Sequence, residues 1–136
     1  MQNTPYNISS LQALKEFADT FSLTLTGGET IGLIGTLGAG KTTFTKNLIN
    51  SVGGDGSQVT SPTFVLQHLY QTLRFNIEHW DLYRLEKLPP EINEIVPSSK
   101  IRLVEWSDKF DIELDIALSF TIVDNNKRII EVQKFL

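Results

Sequence analysis

Apolar residues recur at helical spacing in two stretches of the chain. Leu11, Leu14, Ala18 and Phe21 fall three or four residues apart, directly after Ser9-Ser10, a pair suited to capping a helix start. Phe44, Leu48 and Val52 lie at i, i+4 and i+8 with Ile49 beside Leu48, and Gly53-Gly54 follows as a stop. Elsewhere the pattern shortens to that of strands. Thr30-Ile31-Gly32-Leu33-Ile34 is a brief apolar run fed by the turn residues Gly27-Gly28, which predicts a buried strand. Residues 64–70 alternate, with Phe64, Leu66, His68 and Tyr70 on one face, and residues 73–80 do the same with Phe75, Ile77 and His79. Gln71-Thr72 between them is too short for a crossover helix, so these two strands are expected to pair as an antiparallel hairpin. Pro89-Pro90 introduces residues 91–96 as one or two helical turns closed by Pro97-Ser98-Ser99. Residues 101–104 form a short β-rich run ending at Glu105-Trp106. Residues 116–123 and 128–135 predict a terminal hairpin across Asp124-Asn125-Asn126-Lys127. The whole reads as α/β with a mixed sheet, as one domain over residues 1–136.

Between the first buried strand and the second helix stands Gly35-Thr36-Leu37-Gly38-Ala39-Gly40-Lys41-Thr42, which fits the pattern G-x-x-x-x-G-K-[ST]. Glycines let backbone N–H groups approach phosphate oxygens with no Cβ in the way. Lys41 supplies a cation for the β- and γ-phosphates of a nucleotide, and the Thr42 hydroxyl suits a Mg²⁺ ion. The following helix adds the positive end of its dipole to the same anion site. The order strand, glycine loop, Lys-Thr, helix is the one that a phosphate loop requires.

Composition narrows the setting. The chain has 136 residues and no cysteine, which removes disulfides, thiolate metal sites and cysteine nucleophiles and fits a reducing compartment. Residues 1–5 lack the basic and apolar regions of a signal peptide, and no apolar run is long enough to span a bilayer, so a cytoplasmic location without membrane attachment is expected. The net charge is −4, with no basic run longer than Lys127-Arg128. A domain that grips nucleic acid alone usually carries a basic face, so any RNA is expected to be held by another protein.

Bound Mg²⁺ needs more oxygen ligands than one threonine and the phosphates supply, and such enzymes place a carboxylate at the end of a neighbouring core strand. Asp81, closing residues 75–80, and Glu105, closing residues 101–104, both qualify; one would face the metal, and the other would orient water or hold a switch segment. Residues 53–63 are rich in turn chemistry and end in hydroxyl side chains, the composition of either a nucleotide-sensing switch or a plain connection. Trp106 suits base stacking or core filling, and the spacing gives no warrant for bringing Lys127 or Arg128 to a nucleotide.

Together these stretches resemble the bacterial TsaE (YjeE) family, the small ATPases of tRNA threonylcarbamoyladenosine synthesis. The resemblance is carried by Gly38-Ala39-Gly40-Lys41-Thr42-Thr43-Phe44, Ser61-Pro62-Thr63-Phe64, His79-Trp80-Asp81-Leu82-Tyr83-Arg84-Leu85 and Leu103-Val104-Glu105-Trp106, in the family's order. It implies a three-layer α/β fold of the P-loop NTPase kind with a mixed β-sheet, into which the C-terminal β-hairpin fits. It implies ATP held by Gly38, Ala39, Gly40, Lys41, Thr42 and Thr43, and Mg²⁺ held by Thr42 and Glu105. Lys41, Asp81, Glu105 and Thr63 are then the catalytic set, with Asp81 near the γ-phosphate and Ser61-Pro62-Thr63 as the switch. It also implies partners, TsaD and TsaB, with tRNA reached only through the complex and ATP hydrolysis resetting that assembly. Thr36 stands where the family usually carries aspartate, which removes a charge beside the nucleotide. The stretch between Arg84 and Glu105 is shorter than usual. A stand-alone small-molecule kinase and a nucleotide-sensing module with little turnover remain the other readings of the same loop.

Overall fold

The structure, a computed structural model, describes residues 3–36, 38–60 and 66–135. Its strands are β1 (Asn3–Ile8), β2 (Thr30–Ile34), β3 (Gln67–Gln71), β4 (Asn76–Asp81), β5 (Lys100–Glu105), β6 (Ile116–Asp124) and β7 (Lys127–Lys134); its helices are α1 (Leu11–Ser22) and α2 (Lys41–Ser51). One mixed sheet runs in the order β1-β7-β6-β2-β5-β4-β3. β2 is parallel to both β5 and β6, and β4 is parallel to β5. The two hairpins, β3–β4 and β6–β7, are antiparallel as the short connections require.

Each helix forms where the pattern places it. Ser10 caps α1, its Oγ accepting from Ala13 N at 3.0 Å, and Leu14, Phe17, Ala18 and Phe21 are buried. Arg74 donates to the carbonyls of Ser22 and Leu25, where the end of α1 leaves acceptors without helical partners. α2 buries Phe44, Leu48 and Ile49 beside α1, and the chain turns away at Gly53 with φ 89°. Phe17, Phe21, Phe44 and Phe120 form a continuous series of ring contacts from α1 through α2 to the sheet. Both helices lie on one face, over Ile31, Leu33, Leu103 and Leu118.

The opposite face of β4 and β5 carries Trp80 and Val104, and its cover contains no α-helix. Leu82, Ile92, Leu85, Trp106 and Phe110 pack there, supplied by the connections after β4 and β5 and by the 3-10 turns Pro90–Asn93 and Ser107–Lys109. The expected turns at 91–96 thus shrink to one 3-10 turn. On this face Glu78 accepts hydrogen bonds from Arg102 Nε and Trp80 Nε1 at 2.9 Å and pairs with Lys100 at 2.8 Å. Arg102 also donates to the carbonyls of Ile92 and Glu94 and so fastens the cover to the sheet.

β1 has no counterpart in the hydrophobic pattern. Its sequence, Asn-Thr-Pro-Tyr-Asn-Ile, is exposed except at Ile8, and it is held by antiparallel pairing with β7. Pro5 is tolerated because this is an edge strand. In the connection from β5 to β6, Asp108, Asp111 and Glu113 are exposed, while Asp115 accepts from Thr30 N at 2.8 Å and pins the start of β2.

Candidate active site

The parallel strands β2, β5 and β4 end along one edge of the sheet. In register, Leu33 on β2 lies opposite Glu105 on β5, and Glu105 lies opposite Asp81 on β4. Beyond Ile34 the chain enters the glycine loop, and α2 begins at Lys41. The loop and the two candidate carboxylates are therefore neighbours because of strand order, not because of sequence proximity.

Gly38 and Gly40 adopt φ 81° and 107°, values that side chains with a Cβ rarely reach. A Cβ at either would meet nothing within 4 Å, so the space in front of the loop is open. Where Ser10 caps α1, Gly40 brings no side chain to the start of α2, and none among the described residues caps it. An uncapped helix start fronted by left-handed glycines is the arrangement that receives an anion. Ala39 is buried, its N–H bonded to Thr36 O at 3.2 Å, while Thr42 and Thr43 are half-buried in the first turn of α2.

Lys41 is buried. Its Nζ donates to Gly35 O at 2.7 Å, lies 3.7 Å from Glu105 Oε1, and sits 5.0 Å from the centre of the Trp106 ring. The other Glu105 oxygen, Oε2, is 2.6 Å from Nε2 of the fully buried His79. Nδ1 of His79 has no hydrogen-bond partner among the described residues. Nearby, burial pushes the Tyr70 phenol above its ordinary value; a backbone hydrogen bond at Thr60 opposes this and the charge of Glu105 adds to it. Asp81 is buried, and its Oδ1 accepts from Tyr83 N at 2.9 Å. Trp106 has the only left-handed non-glycine backbone among the described residues, with φ 61°. It packs on Tyr83 at 4.8 Å between centroids and joins the second core cluster, so it fills core at the margin of the site.

The structure thus brings Lys41, Glu105 and Asp81 to one edge beside Thr42 and Thr43. Thr63 and the rest of Ser61-Pro62-Thr63 lie outside the described residues. The contact of His79 with Glu105 depends on the parallel register of β4 and β5, which alternation within each strand does not reveal.

The donor set here fits a magnesium nucleotide. A hydroxyl and two carboxylates are the hard oxygen ligands this ion takes. Mg²⁺ keeps several waters and is bound through one or two carboxylates together with phosphate oxygens.

A family model described as threonylcarbamoyl adenosine biosynthesis protein TsaE matches residues 8–130. The tRNA threonylcarbamoyladenosine biosynthesis protein TsaE of Rickettsia prowazekii (strain Madrid E) is 35% identical over 136 residues, covering 95% of this chain and 94% of that protein. The protein of the same name from Aquifex aeolicus (strain VF5) is 38% identical over 120 residues, covering 88% and 87%. Among solved structures, the crystal structure of Bacillus subtilis YdiB superposes with a TM-score of 0.74 at 21% identity, covering 98% of this chain and 86% of that one. That likeness establishes the P-loop NTPase-like α/β fold.

Proposed function

The chain belongs to the TsaE family, and from that membership we propose that it is the Mg²⁺-dependent ATPase of tRNA threonylcarbamoyladenosine (t6A) synthesis. The family places it in that biosynthesis. The observation that carries the catalytic reading is the convergence of Lys41, at the first turn of an uncapped helix, with Glu105 and Asp81 at the ends of adjacent parallel strands.

The glycine loop from Gly38 to Thr43 cradles the phosphates of ATP through backbone N–H groups. Lys41 neutralises the β- and γ-phosphates, exchanging its bond to Gly35 O for phosphate oxygen. Thr42 and Glu105 would hold Mg²⁺, which would supply positive charge beside the phosphates. Asp81, near the γ-phosphate, orients the water that displaces ADP, and Thr63 belongs to the switch that senses the γ-phosphate. Turnover resets an assembly with TsaD and TsaB. The net charge of −4 supports an indirect relation to tRNA, held by those partners.

The kinase reading needs arginines free for a lid over an acceptor. Arg74 is tied to the end of α1 and Arg102 to Glu78 and two carbonyls, which favours the ATPase. Fast hydrolysis needs an ordered water and added positive charge at the γ-phosphate. The isolated protein is therefore expected to turn over slowly, and the TsaB–TsaD pair to raise the rate. Steady-state phosphate release is measured for the chain alone, with each partner and with both. A high rate alone that the pair leaves unchanged overturns the partner reading; release that stays negligible in every mixture, with ATP bound, favours the sensing module.

A further inference from the structure

His79 is 0% exposed, and its ring makes one hydrogen bond among the described residues, from Nε2 to Glu105 Oε2 at 2.6 Å. An ionised carboxylate only accepts, so the hydrogen of this short bond belongs to Nε2. The parallel register fixes the pair. His79 lies opposite Leu103, two residues ahead of the Asp81–Glu105 pair, and so faces the same side of the sheet as both carboxylates. The Tyr70 ring packs beside the imidazole, 6.4 Å away between centroids. Glu105 Oε1 is placed differently. Its nearest cation, Lys41 Nζ, is 3.7 Å away, beyond hydrogen-bond distance. A buried polar side chain with a single bond, made to one oxygen of one carboxylate, is spent on that carboxylate.

The geometry points to His79 as the residue that sets the metal specificity of the site: by keeping Oε2 engaged it leaves Glu105 one oxygen for a cation, which admits Mg²⁺ and works against Ca²⁺. This rests on the magnesium-nucleotide reading proposed above. Mg²⁺ is small, demands near-octahedral geometry and keeps several of its waters, so one oxygen from a carboxylate suffices for it. Ca²⁺ is larger, gathers about six to eight oxygens in looser geometry and commonly draws on both oxygens of a carboxylate. For Glu105 to offer both, the bond from His79 must break, and the fully buried imidazole is then left with no partner among the described residues. That cost falls on Ca²⁺ and spares Mg²⁺. Asp81 carries no such restraint from His79; its Oδ1 accepts from Tyr83 N.

An ATP analogue with a nitrogen bridge between its β- and γ-phosphates, which is not hydrolysed, separates binding from turnover. Calorimetric titration of the intact chain compares its affinity with Mg²⁺, with Ca²⁺ and with a chelator. The wild type is expected to bind the Mg²⁺ form more tightly than the Ca²⁺ form. His79→Ala frees Oε2 and is expected to weaken the Mg²⁺ form about tenfold while leaving the Ca²⁺ form within about twofold, so that the preference falls roughly tenfold. His79→Gln, whose amide N–H can reach the same oxygen, should restore most of the preference. Equal losses for the two metals in His79→Ala overturn the inference and make the histidine a packing residue. A wild type that binds both metal forms equally overturns it without recourse to a variant. A wild type whose affinity is the same with metal and with chelator refutes the magnesium reading itself, and this inference with it.

Discussion

Glu105 has two oxygens with different neighbours, and the difference sets what the residue can do. Oε2 is held at 2.6 Å by His79, while Oε1 stands 3.7 Å from Lys41, a looser contact that an incoming ion or phosphate can replace. His79 is fully buried and so fixes the carboxylate's orientation. His79→Ala is therefore expected to weaken Mg-ATP about tenfold and metal-free ADP much less, read by titration with and without Mg²⁺. Equal losses for both would make His79 a packing residue. Lys41 is expected, from its position in the loop, to reach ligand rather than core, yet it is buried and bonded to Gly35 O. Lys41→Ala should then abolish measurable ATP binding and also lower unfolding stability by about 1–3 kcal/mol, because Gly35 O and Glu105 lose a buried partner. A variant that binds Mg-ATP as tightly as the wild type would refute the phosphate-loop assignment.

At the scale of elements, the cover over β4 and β5 depends on one side chain. Arg102 joins Glu78 to the carbonyls of Ile92 and Glu94, and it is almost wholly buried. Arg102→Ala leaves a buried carboxylate and two carbonyls short of a donor, so a loss of about 3–5 kcal/mol is expected in denaturant unfolding. Amide hydrogen exchange should rise first in residues 90–98, whereas a uniform rise over the chain would mean that the cover is not a separate unit. The elements legible in the sequence were those with a period. α1, α2, β2 and the terminal hairpin follow from apolar spacing and turn residues, and the glycine loop from its motif; the β3–β4 hairpin follows from alternation, but its connection is residues 72–75 rather than the expected Gln71-Thr72. β1 was not legible, because an exposed edge strand is held by backbone pairing that carries no apolar signature. The cover was only partly legible, since it consists of 3-10 turns and connections without a repeat. Within the candidate site, Lys41, Asp81 and Glu105 could be named as candidates in advance, but the bond from His79 to Glu105 depends on which strands lie side by side.

For the whole molecule, the buried charges predict how stability depends on pH. Burial pushes the Glu78 carboxyl upward, but hydrogen bonds from Lys100, Trp80 and Arg102 outweigh it and hold the group below its ordinary value. A carboxyl whose folded value is depressed adds stability that is complete above its unfolded value, and that stability is lost as pH falls through the folded value. Tyr70 works in the opposite direction. Burial raises its phenol, so its contribution is complete below the ordinary tyrosine value and is lost as pH rises through the raised one. The chain should therefore be most stable on a plateau between an acid limb shaped by Glu78 and an alkaline limb shaped by Tyr70. Glu78→Gln tests the acid limb. At neutral pH the variant leaves Arg102 without its buried counter-charge and should be clearly less stable than the wild type. As pH falls from the ordinary glutamate value through the lower folded value, the wild type loses this advantage, so the two stabilities should converge. Urea unfolding of both proteins, repeated down the acid range, measures the gap directly. A gap that stays constant from neutral to acid pH would show that the charge on Glu78 contributes nothing and that its hydrogen-bonding shape alone holds the cover in place.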